Sequence, residues 1–77
     1  MLEIDSMVEE FDVVLNQFEE AKRKNELHEA SDIKAYMCGL TRAMTIVMEA
    51  NETKYTQEDR SLVDIRITKL NEIFNVK

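Results

Sequence analysis

Read for polarity alone, the chain divides into three periodic segments separated by two short polar ones. In the first segment Ile4, Met7, Val8, Phe11, Val14, Leu15 and Phe18 recur at three- and four-residue steps, and Ala21 and Asn25 continue the line. A period near 3.5 gathers these side chains into one seam along a helix, which favours packing at a shallow crossing angle. The spacing predicts a first helix over about 3–25. The last segment has a broader apolar face, made by Leu62, Val63, Ile65, Ile67, Leu70, Ile73 and Phe74. Asp64, Arg66, Lys69 and Glu72 mark its wet side, and a helix over about 57–75 follows.

The middle segment is the most apolar. From Ile33 to Ala50 its only charged residues are Lys34, Arg42 and Glu49, and most of its residues are good helix formers. Ile33, Met37, Leu40, Met44, Val47 and Met48 fall on one helical face. Ala35, Gly39 and Ala43 make a second line at steps of four, where small side chains let another backbone come close. Tyr36, Ile46 and Ala50 fill in between. A helix that is apolar nearly all round is a buried one, so this helix, over about 32–50, is expected to take a neighbour on each of two faces. A membrane span is the competing reading. It fails on Lys34 and Arg42, and on a length that barely reaches the roughly 20 apolar residues needed.

Two breaks divide the helices. In Asn25 to Ser31 the apolar pattern is weak, and Ser31 is the candidate N-cap with Asp32 in the first turn. No Gly or Pro enforces a turn there, so one continuous helix, covered by other subunits, competes with the hairpin. The second break runs from Asn51 to Tyr55. Asn51 can stop the middle helix, and Thr56 with a carboxylate at Asp59 resembles a capping box that opens the last one.

The expected fold is all-α: one domain, 1–77, folded as a small antiparallel three-helix bundle with short connections. At 1.5 Å per residue the helices would be about 35, 28 and 28 Å long. The first would then overhang, offering Met1, Leu2 and Ile4 to a second subunit. Size points the same way. A core built from 77 residues is marginal without a disulfide, a metal or a partner. The lone Cys38 cannot form an internal disulfide, and with the lone His28 it cannot build a usual zinc site. Dimerisation through surplus apolar helix surface is therefore expected. The acidic start lacks the basic n-region of a signal peptide, which makes a reducing, cytoplasmic location the expectation. A net charge of −6 argues against direct nucleic-acid binding and against docking on anionic membranes.

Little here resembles catalytic equipment. His28 lies in a predicted loop between Glu26 and Glu29 and reads as a surface histidine. Cys38, between Met37 and Gly39, reads as a small core residue rather than a reactive thiol. There is no Gly-rich phosphate loop, no nucleophile elbow, no second histidine and no EF-hand pattern. No enzyme activity and no cofactor are expected. Met37, Met44 and Met48 read as core, with an adaptable partner groove as the competing reading.

The acidic face of the first helix is the most suggestive feature. Glu3, Asp5, Glu9, Glu10, Asp12, Glu19 and Glu20 precede any Lys or Arg, and Lys22, Arg23 and Lys24 close the helix. That order suits the macrodipole and sets up Glu19 with Arg23 and Glu20 with Lys24 as ion pairs. The expected function is a non-catalytic interaction module: an adaptor, inhibitor or regulator of a larger protein, of the kind common in bacteriophages. Its contacts would be that acidic face and the apolar residues Ile4, Phe11, Met37, Met44, Met48 and Phe74. A structural helical oligomer is the first alternative. An acidic DNA mimic that sequesters a basic DNA-binding protein is the second.

Overall fold

The seam of the first segment organises the molecule. In the computed structural model, which describes residues 3–75, helix α1 spans Glu3–Arg23. Ile4, Val8, Phe11, Val14, Phe18 and Ala21 are all buried along one side of it. Helix α2 spans Leu27–Ala50, a one-turn 3-10 helix spans Glu52–Lys54, and helix α3 spans Gln57–Asn75. The fold is an all-α three-helix bundle, as the periodicity predicts. α2 returns antiparallel to α1, and α3 returns beside both, so that Asp12 of α1 meets Arg66 of α3. α1 and α2 pack along most of their length, and α3 touches the pair more sparsely.

The first connection is tighter than the sequence pattern implies. Asn25 takes φ 63°, the left-handed conformation that asparagine tolerates better than most residues. The Glu26 N–H reaches the Ala21 carbonyl at 2.8 Å, and the Asn25 N–H reaches that of Lys22 at 3.0 Å. These are the paired bonds of a Schellman motif, which satisfies the last carbonyls of α1. The chain therefore turns here and does not continue as one helix. It also re-enters helix at once. α2 begins at Leu27, before the expected Ser31 cap, and its N-cap residue Glu26 makes no side-chain capping bond. Ala30 explains the early start, because it is buried and so anchors the extra turn to the core.

The second connection follows expectation. The Asn51 N–H bonds to the Met48 carbonyl at 3.2 Å and its side-chain amide to that of Val47 at 3.0 Å. Thr56 and Asp59 exchange reciprocal bonds: Asp59 N–H to Thr56 Oγ1 at 3.1 Å, and Thr56 N–H to Asp59 Oδ2 at 3.0 Å. This is the capping box.

The helix lengths correct the expected overhang. α2, with 24 residues, exceeds α1 with 21, or about 36 against 32 Å at 1.5 Å per residue. Ile4 is buried at 1% exposure, so it is not part of a protruding end. Met1 and Leu2, expected there with it, lie outside the described residues.

Ala30, Met37, Met44 and Met48 of α2 and Val63 and Leu70 of α3 complete the core. One polar residue joins them. Thr41 is buried, and its Oγ1 donates to the Cys38 carbonyl at 2.9 Å, so its hydroxyl is satisfied within its own helix.

Candidate functional site

Two residues of the acidic face, Glu10 and Asp12, stand at the borders of α1 with the other two helices. Tyr36 Oη of α2 donates to Glu10 Oε2 at 2.8 Å. Arg66 of α3 donates from Nε to Asp12 Oδ1 at 3.2 Å and from Nη2 to Asp12 Oδ2 at 2.7 Å. Its Nη1 also bonds to the Leu62 carbonyl at 3.1 Å, which fixes the guanidinium in place. The carboxylate accordingly faces a fork that presents two parallel donors.

Glu20 pairs with Arg23 and, at 3.5 Å, with Lys24. Arg23 was expected on Glu19 and is found one residue on. The Arg23 hydrogen bond, aided by both cations and opposed by partial desolvation, holds the Glu20 carboxyl below its ordinary value. The bond to Glu10, with some desolvation, pushes the Tyr36 phenol up. Glu10, Asp12 and Glu20 are thus engaged within the chain. Asp5, Glu9 and Glu19 are exposed and make no ion pair among the described residues. The side chain of Glu3 lies outside the described residues.

The expected apolar contacts divide differently. Ile4, Phe11, Met37, Met44 and Met48 are between 0 and 6% exposed, closed inside the chain's own core. Met37 and Met44 are fully enclosed, and Met48 reaches the edge of one groove between α2 and α3. Phe74 alone of the six is open, at 49% exposure.

What the sequence places inside α2, the structure turns outward. The seam of α1 and the face of α3 lie on one side of α2, so its far side has no neighbour among the described residues. Ala35, Cys38, Gly39, Ile46 and Ala50 are exposed, and so is Tyr36, whose hydroxyl meets Glu10 at the border with α1. Cys38 is therefore a surface thiol and not a core residue. Among the described residues no second helix packs on Gly39, and a Cβ built there would meet nothing within 4 Å. The missing signal is periodicity: residues that are apolar on every side do not say which side is covered. Only the position of α1 decides it.

His28 is likewise displaced from the expected loop. It sits in the first turn of α2 and is exposed. Among the described residues no group of three His, Cys, Asp or Glu could hold a metal ion. A groove of about 240 Å³ separates the C-terminal end of α2 from α3, lined by Thr45, Met48, Glu49, Arg60, Val63 and Asp64 among others. Arg60 partly closes it by bonding to the Glu52 carbonyl at 2.7 Å. No described helix is long and apolar enough to cross a membrane. The chain matches no protein-family model, no curated protein and no solved structure with which it was compared.

Proposed function

We propose that the protein is a small non-catalytic interaction module that binds another protein through the outer face of α2. One observation carries the reading. The longest helix leaves an apolar strip open, with Tyr36 at 50% and Ile46 at 61% exposure and with Ala35, Gly39 and Ala50 between and beyond them. An open apolar strip along a helix is one form that a protein-binding surface takes. Gly39 adds to it. A glycine inside a helix is destabilising, and none of the described residues approaches closely enough to require one. A partner backbone lying across that point would.

The acidic face supports the DNA-mimic alternative less well, because Glu10 and Asp12 are committed to Tyr36 and Arg66. An adaptor or inhibitor role, in a phage-type setting or another, follows from what the partner is.

Affinity capture from bacterial lysate, eluted in rising salt, tests the reading. A stoichiometric partner should be retained at high salt by the natural chain and lost by Ile46→Asp. Replacing Asp5, Glu9 and Glu19 by their amides should leave capture intact. Loss of capture with the amides and not with Ile46→Asp would transfer the function to the acidic face.

A further inference from the structure

A second surface lies where α1 ends, α2 begins and α3 ends. Phe18, Leu27, Ala30 and Ile73 line an open pocket of about 230 Å³, with Lys22 and Lys34 beside them. Phe18 and Ala30 are buried and form its floor, while Leu27 is 66% exposed and forms an unfinished wall. At about 30 Å³ per water the pocket has room for roughly eight waters, enough for one bulky apolar side chain.

Its charge sets it apart from the rest of an acidic chain. The Lys22 ammonium stands 5.7 Å from the centre of the Phe18 ring, and that of Lys34 stands 4.8 Å from the centre of the Phe74 ring. Neither lysine pairs with a carboxylate among the described residues. Arg23 and Lys24, by contrast, are engaged by Glu20. The pocket lining includes no acid, and Glu20, Glu26 and Glu29 line a different groove, with Asn16, Ala21 and Lys24. Two ammonium groups that meet aromatic rings and no carboxylate therefore overlook a half-open apolar pocket.

We infer that this pocket docks an acidic peptide segment of a partner protein. One large apolar side chain enters between Phe18, Leu27 and Ile73, and carboxylates on either side of it meet Lys22 and Lys34. Apolar burial supplies the anchor, and charge complementarity selects the flanks. The inference rests on the chain being a protein-binding module and gives that module a second contact, away from the outer face of α2.

The test is a two-dimensional amide NMR titration of the full chain with a short synthetic peptide carrying one leucine between glutamates. Shifts should concentrate at Phe18, Leu27, Ser31, Lys34 and Ile73. The double change Lys22→Glu with Lys34→Glu, at one exposed and one half-buried lysine, should weaken binding by about tenfold or more. A lysine-flanked peptide should bind that variant better than the natural chain. Four results would each overturn the inference: no shifts at millimolar peptide, equal binding of the lysine-flanked peptide to the natural chain, shifts that follow protein concentration alone, and contacts from Val76 into Phe18. The last two would give the pocket to a second copy or to the chain's own end. Ile46→Asp should leave this titration unchanged, so failure of the pocket and failure of the α2 surface are read separately.

Discussion

Gly39→Ala probes the open face of α2 with a single added methyl group. Gly39 is helical without a positive φ, and a Cβ there would stand in open space. The substitution should therefore recover the helical cost of glycine, about 0.5–1 kcal/mol, with no steric penalty. A chain of 77 residues has a total stability of about 4–12 kcal/mol at 0.05–0.15 kcal/mol per residue, so the gain is measurable. At about 4–8 °C per kcal/mol for a domain of this size, the midpoint should rise by about 2–8 °C. Thermal unfolding by circular dichroism at two protein concentrations is the assay. Gly39→Leu should behave similarly, since leucine is also a good helix former and the space is free. A lower midpoint at every concentration would mean that something within the chain packs on Gly39, and the assigned rotation of α2 would be wrong. A lower midpoint at high concentration only would mean that a second copy covers the strip.

Met44→Ala should cost about 2–5 kcal/mol in urea unfolding, because Met44 is fully buried, and Ile46→Ala should stay within about 0.5 kcal/mol; similar losses at both sites would contradict the two faces assigned to α2. Asn25→Gly should be close to neutral, whereas Asn25→Ala should cost about 1 kcal/mol at its left-handed φ; equal stability of the two variants would remove the αL turn from the account. A double-mutant cycle of Arg66→Met with Asp12→Asn should give a coupling of about 0.2–1 kcal/mol that declines with salt, since Asp12 is half exposed; no coupling at low salt would sink the clasp between α1 and α3. Ultraviolet titration, with Tyr36→Phe as the reference, should find Tyr36 ionising above the ordinary tyrosine value, and Glu10→Gln should bring it back. Because the folded value is raised, the stability from this bond is complete below the ordinary tyrosine value and is lost as pH climbs through the folded one.

The parts of the fold legible in the sequence are those where one pattern has one reading. The seam of α1 has a single apolar side, and Thr56 with Asp59 can do little but cap. The break that begins at Asn25 is legible in the weakened apolar pattern, but its tight left-handed form is not, because asparagine signals such a cap only when the following backbone bonds back to the helix. The extra turn from Leu27 was hidden because a single small residue, Ala30, holds it to the core. α2 misled for a physical reason. Burial depends on which neighbours arrive, and an all-round apolar helix in a three-helix bundle has more such surface than two neighbours cover. Tyr36, Cys38 and Ile46 were accordingly assigned inward. Of the candidate contacts, Asp5, Glu9, Glu10, Asp12, Glu19 and Glu20 are exposed, but the internal partners Tyr36 and Arg66 of Glu10 and Asp12 come from distant segments that no local spacing relates.

Site-specific photo-crosslinking in cells tests the central claim most directly. A photoreactive residue in place of Ile46 stands on the open strip of α2, and one in place of Ile65, exposed on α3 at 60%, serves as the control. The account predicts a single adduct between this chain and a different protein from position 46, and none from position 65. Adducts from 46 that join only two copies of this chain would make the strip a self-assembly surface. No adduct from 46, while the same partner is still captured, would contradict the assignment of function to α2.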